Sequence, residues 1–163
     1  MFLGFDSAMA IVIFGAAMAV ALGGIGSAIG VGIAGQTAAG VTAEKPDLFG
    51  RMLVLEALPG TQGIYGFIGA FLILFQTGFI TGAPLPIDLG TAWQFFYASL
   101  PVGLGGLFSG IYQGKVAAAG MGAVAKDPAN TGKAMILAAM VETYAVLGLL
   151  LTVLLVFGIV LPK

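Results

Sequence analysis

Glu142 lies in the run Ala138-Ala139-Met140-Val141-Glu142-Thr143-Tyr144-Ala145-Val146, and no other charge falls between Lys133 and Lys163. A carboxylate in so apolar a setting costs several kcal/mol unless it is neutralised or paired, which makes it a functional candidate. The bland alternative is a protonated carboxyl that only donates a hydrogen bond between helices. Other polar residues decide between the two. Glu142 stands about 11 residues beyond the polar break at 126–130, Thr61 and Gln62 stand about 12 residues beyond the break that precedes their span, and Gln113 stands about 13 residues before the break at 126–130; at 1.5 Å per residue all four lie at roughly one depth. Pro59 has no N–H to give the Leu55 carbonyl and Gly60 loosens the same turn, so a free carbonyl is expected around residues 55–58. One carboxylate, two amide oxygens, a hydroxyl and backbone carbonyls make an all-oxygen set suited to a hard cation. A single negative charge suits a monovalent ion better than Mg²⁺ or Ca²⁺.

The rest of the composition narrows the chemistry further. Of 163 residues, 60% are hydrophobic and 8% charged, with 7 acids against 6 bases. Soluble domains carry about 25% charged residues, so this is a membrane protein. Nothing here could neutralise a row of phosphates, so no nucleic-acid partner is indicated. Without cysteine or histidine there is no disulfide, no thiolate or imidazole metal site and no histidine acid–base chemistry. No nucleophile–base pair or phosphate-cradling loop is apparent, so the chain is not an enzyme alone.

Long uncharged stretches must position these residues. They are separated by Glu44-Lys45-Pro46-Asp47, by the proline-rich segment 82–88, and by Lys126-Asp127-Pro128-Ala129-Asn130. Four transmembrane helices are predicted, at 8–42, 50–79, 91–125 and 131–160, several of them longer than the ~20 residues a bilayer requires. The first hairpin occupies residues 1–80, an outer linker 81–90, and the second hairpin 91–163. The N-terminus lacks a basic segment, so no cleaved signal peptide is expected. Lys45, Arg51, Lys126 and Lys133 cluster at two breaks, whereas the other side carries Asp6, Asp88 and only Lys163 as a base. The positive-inside rule puts loops 44–51 and 126–133 in the cytoplasm and both termini outside.

Shifting the chain by 82 residues aligns it with itself without a gap: Gly23-Gly24 on Gly105-Gly106, Ser27 on Ser109, Pro46 on Pro128, Thr61 on Thr143 and Phe75 on Phe157. The chain is a duplicated helical hairpin. Glu142 falls on Gly60 and Gln113 on Val31, so one duplicated unit holds one ion, built from both hairpins. The first helix of each unit carries small residues every four positions: Gly106, Gly110, Gly114, Ala118 and Gly122 in the third span; Gly24, Ala28, Gly32, Gln36 and Gly40 at the equivalent places in the first; and beside these Gly26, Gly30, Ala34 and Ala38. Such series let helix backbones approach closely in lipid. Small residues on more than one face suit an inner circle of helices in a homo-oligomeric ring. The second and fourth spans, with Phe71, Leu72, Phe75, Leu150, Leu151 and Leu154, would face lipid.

Two further charges fall within spans. Glu56, about six residues past Gly50, reads as a carboxylate reaching to the interface, with its partner open. Lys115 points about 200° round the helix from Gln113, away from the site. Trp93, Phe95, Phe96 and Tyr97 suit an aromatic belt.

Three words of sequence carry a family resemblance: Leu58-Pro59-Gly60-Thr61-Gln62-Gly63-Ile64-Tyr65-Gly66-Phe67, Ser109-Gly110-Ile111-Tyr112-Gln113-Gly114-Lys115 and Met140-Val141-Glu142-Thr143-Tyr144. With these the chain resembles, over essentially its whole length, the proteolipid subunit K of V-type ATPases, the two-hairpin class of sixteen kilodaltons, and most closely its bacterial sodium-pumping branch. The resemblance implies a membrane rotor ring of identical subunits in a rotary ATPase whose ATP hydrolysis belongs to other subunits. It implies Na⁺ ligands at the Leu58 carbonyl, Thr61, Gln62, Gln113 and Glu142, with Tyr65 holding the glutamate closed over the ion. It also implies central-stalk partners and a stator subunit with a basic residue that meets Glu142. A rotor carrying H⁺ would need only the carboxylate, leaving Gln62 and Gln113 surplus. A passive oligomeric pore or scaffold proteolipid is the reading from another class. Glu56 is no part of the implied site.

Overall fold

The computed structural model describes residues 7–161; Asp6 and Lys163, read above as outer ends, lie outside the described residues. Helix α1 runs Ser7–Glu44, a 3₁₀ turn covers Pro46–Leu48, α2 runs Phe49–Ala57, a second 3₁₀ turn covers Leu58–Gly60, and α3 runs Thr61–Gln76. Helix α4 runs Leu89–Lys126, a third 3₁₀ turn covers Pro128–Asn130, and α5 runs Thr131–Gly158. The protein is all-helical, and four segments are long and apolar enough to cross a membrane: Ser7–Glu44, Pro46–Gln76, Leu89–Lys126 and Pro128–Gly158. At 1.5 Å per residue the two 38-residue helices are about 57 Å long, well beyond the ~30 Å hydrocarbon core.

The second span breaks where its sequence says it should. Pro59 cannot extend an α-ladder, and the backbone tightens to 3₁₀ over three residues before α3 resumes. That span ends at Gln76 because Gly78 and Gly82 turn the chain with φ of +74° and +75°, a region only glycine enters freely. The linker then folds back, Leu85 N–H donating to the Thr77 carbonyl at 3.0 Å. Asp88 caps α4 by accepting from the Thr91 N–H at 2.9 Å. Pro101 sits inside α4, and the following Val102 N–H finds the Thr152 hydroxyl on α5 at 3.2 Å.

The core is the seam between α1 and α4. Gly30 and Gly114 approach so closely that a Cβ on either would enter the other's helix backbone or its immediate neighbours, and Gly26 and Gly110 meet in the same way. Thus Gly110 and Gly114 of the third span's series meet Gly26 and Gly30, beside which Ala34 and Ala38 are also buried, while the repeat-equivalent Gly24 and Gly32, like Gly40 and Gly122, face open space. Helices α3 and α5 lie on this pair. Gly66 packs on the Ala19 carbonyl and Gly148 on that of Pro101, equivalent contacts 82 residues apart. Phe67, Phe71, Phe75, Leu147, Leu150, Leu154 and Phe157 remain exposed, an apolar exterior suited to lipid. At the loop end two side chains stitch the hairpins: Lys45 Nζ donates to the Ala125 carbonyl at 2.5 Å, and Arg51 Nη1 to the Pro128 carbonyl at 2.5 Å and the Thr131 hydroxyl at 3.1 Å.

Candidate ion-binding site

Helices α3, α4 and α5 bring a polar cluster together between the loop and linker ends. Glu142, half-buried on α5, accepts from the Tyr65 hydroxyl of α3 at 2.5 Å on one oxygen and from Gln113 Nε2 of α4 at 3.2 Å on the other. Both donors are neutral groups, a phenol and an amide. Gln62 Nε2 donates to Gln113 Oε1 at 2.5 Å and to Ser109 Oγ at 3.1 Å. Ser109 spends its own proton on the Val141 carbonyl at 3.0 Å. The chain of donors therefore has one direction. With the Ser109 proton committed, its lone pairs hold the Gln62 NH₂, and the Gln62 Oε1 is turned the other way. That oxygen is buried and has no hydrogen-bond partner. A buried acceptor left unpaired is expensive, on the order of 1–3 kcal/mol. It is also what a cation requires.

Thr61 and Leu58 stand one turn away. The Leu58 carbonyl accepts both the Thr61 N–H and, at 3.1 Å, the Thr61 hydroxyl. The Thr61 hydroxyl also lies beside the Tyr65 phenol. The structure thus joins Tyr65, Gln113 and Glu142 directly and Gln62 through Gln113, while Thr61 and Leu58 bond to each other. The carbonyl freed around residues 55–58 was the sequence expectation; at Leu58 the 3₁₀ turn gives it to Thr61.

Two serines belong to the cluster that side-chain chemistry alone did not single out. Ser109 orients Gln62, and Ser27 accepts from the Gly63 N–H at 2.7 Å, fixing the first turn of α3. Their signal was the repeat, which aligns them. Gly23 and Gly106 flank the Gln62 backbone, where a Cβ would crowd its carbonyl. On its outer side Glu142 lines a groove of about 410 Å³ with Ala139, Thr143, Val146 and Leu147. Lys115 is exposed, its ammonium 4.8 Å from the Tyr112 ring centre, and stands about 200° round α4 from the buried Gln113. Glu56 lies against Gly35 of α1 and takes no part.

The profile of the ATP synthase subunit-C family matches residues 14–73 and again residues 96–155, two matches set 82 residues apart. The chain belongs to the ATP synthase subunit-C family. It carries that family's domain twice in tandem, as the gapless self-alignment required. This family member is 48% identical to the V-type sodium ATPase subunit K of Enterococcus hirae over 126 residues, 77% of each chain. It is 49% identical to the A-type ATP synthase subunit K of Methanocaldococcus jannaschii over 127 residues, which are 78% of this chain and 53% of that relative. A protein of the subunit-C family is an ion-translocating membrane component of a rotary ATPase and does not hydrolyse ATP alone.

Proposed function

We propose that this chain is the rotor-ring subunit of a V-type rotary ATPase and carries one Na⁺ per four-helix protomer at Glu142. Gln113, Gln62, Thr61 and the Leu58 carbonyl supply the neutral oxygens, and Tyr65 latches the carboxylate. The observation that carries the reading is the buried, unpartnered Gln62 Oε1 in the cluster that presents Glu142. A rotor passing H⁺ has no use for that oxygen. The 48% identity to a relative named as a sodium ATPase subunit K supports the same ion.

The physical logic is charge cancellation. Bound Na⁺ neutralises Glu142, so the ring turns past lipid without exposing a bare carboxylate. At the stator, a basic residue of the neighbouring subunit replaces the ion as counter-charge while Na⁺ leaves through a water-filled half-channel. The site then reloads from the other half-channel. Na⁺ and H⁺ compete for the same carboxylate. Identical copies form the ring, central-stalk subunits couple it to ATP hydrolysis, and loops 44–51 and 126–133 face the cytoplasm with both termini outside. The two hairpins, 1–80 and 91–163, are the halves of the protomer.

Carbodiimide modification of Glu142 tests the ion. Millimolar Na⁺ at neutral pH is expected to slow labelling in isolated membranes, and absence of protection overturns the sodium reading. Glu142→Gln is expected to abolish coupled transport, whereas a passive pore would retain its leak.

A further inference from the structure

Two charges inside the spans have no part in that site. Glu56 is half-buried on α2 with its Oε1 2.8 Å from where a Gly35 Cβ would stand, in a groove of about 370 Å³ walled by Ala39, Thr42, Phe49 and Leu53. Lys115 is exposed on α4, lying over Tyr112. Among the described residues neither has an ion-pair or hydrogen-bond partner. Each is costly in a membrane unless it is paired.

They cannot meet within one protomer. Lys115 is nine residues from Gly106, so it points about 180° from one of the glycines that face α1. Gly35 is five residues from Gly30, about 140° from the glycine that faces α4. The two charges therefore lie on opposite flanks of the α1–α4 seam. They lie at the same level, however. Along the seam Gly30 meets Gly110 and Gly114, and Gly26 meets Gly106 and Gly110, so residues about 82 apart are level. Lys115 is then level with residue 33, two residues or about 3 Å from Gly35.

The duplication supplies the joint between copies. In the protomer, Gly110 and Gly114 of α4 pack on Gly26 and Gly30 of α1. Moved by one repeat, that contact sets Ala28 and Gly32 of α1 in one copy against Phe108 and Tyr112 of α4 in the next. The open space at Gly32 and the exposed Phe108 and Tyr112 side chains are the two halves of such a contact. The same offset, carried one turn further, sets Gly35 against Lys115. We propose that Glu56 of one copy and Lys115 of its neighbour form an intermolecular ion pair across this joint. The occupant of the Gly35 groove is a second copy of this chain, selected by opposite charge at equal depth. The inference rests on the ring reading above and adds which flank meets which, and through what pair.

The absence of cysteine makes the test clean. Glu56→Cys and Lys115→Cys, each in the full chain, are expressed together in membranes and treated with a short bis-maleimide. Dimers are expected on a denaturing gel from the mixture, monomers from either variant alone, and a ladder up to the closed ring from the doubly substituted chain. No cross-link from membranes in which native electrophoresis still finds the oligomer overturns the pair and leaves the ring standing. No oligomer in the unsubstituted protein overturns the ring reading as well. As a second measurement, Glu56→Lys and Lys115→Glu are each expected to lower the detergent resistance of the oligomer, and the two exchanges combined are expected to restore it. Failure of the combined exchange to recover overturns a charge pairing, as it would if an anionic lipid headgroup were the partner of Lys115.

Discussion

Tyr65 and Gln113 hold Glu142 between two hydrogen bonds, so the carboxylate is aimed inward by neutral donors. Tyr65→Phe removes a bond to a charged group, about 1.5–3 kcal/mol, and Na⁺ protection of Glu142 against carbodiimide is expected to need roughly ten- to a hundredfold more Na⁺. Ser109→Ala removes the acceptor that fixes the Gln62 amide. Neutral hydrogen bonds are worth about 1 kcal/mol, so a loss of Na⁺ affinity of roughly fivefold is expected, with Na⁺-free labelling of Glu142 unchanged. At this scale the meeting of Glu142, Gln113 and Gln62 in one hydrogen-bonded cluster was legible, because polar residues at one depth in apolar helices have few other reasons to be there. Ser109 was not, because a serine in a glycine-rich helix is ordinary until its partners are known. That the Leu58 carbonyl would be bonded by Thr61 was equally hidden, since a 3₁₀ turn rearranges donors that sequence alone leaves unassigned.

Helix boundaries follow proline, glycine and capping chemistry, and the helix faces follow the small-residue series. Gly114→Ala would drive a methyl into the backbone of Gly30 and is expected to cost about 1–3 kcal/mol, seen as loss of the folded protein from membranes. Gly122→Ala meets nothing within 4 Å and is expected to fold normally under the same measurement. Asp88 is held below its ordinary value of 3.8 by the Thr91 N–H, then by the Thr91 hydroxyl. Its folded value is the lower one, so the cap contributes above the ordinary value and is lost as pH falls through the depressed one. Faster amide exchange in the first turn of α4 is expected only at such low pH. Periodicity could assign small faces to α1 and α4 but not decide which series would meet. In the seam Gly26 and Gly30 of α1 meet Gly110 and Gly114 of α4, so the two repeat-equivalent helices present non-equivalent faces to each other.

The whole protomer is a tight pair, α1 and α4, on which α3 and α5 lie with exposed leucines and phenylalanines. The duplicated hairpin and the four apolar helices were legible because composition, loop chemistry and the 82-residue repeat agree. The partnerships of Glu56 and Lys115 were not, because one copy of the chain does not contain them. The stitches at the loop end have a mechanical meaning. Lys45 and Arg51 tie the first hairpin to the Ala125–Pro128–Thr131 corner of the second, at the end of two rods longer than the membrane is thick. A couple applied to either loop would reach the other hairpin directly through these bonds.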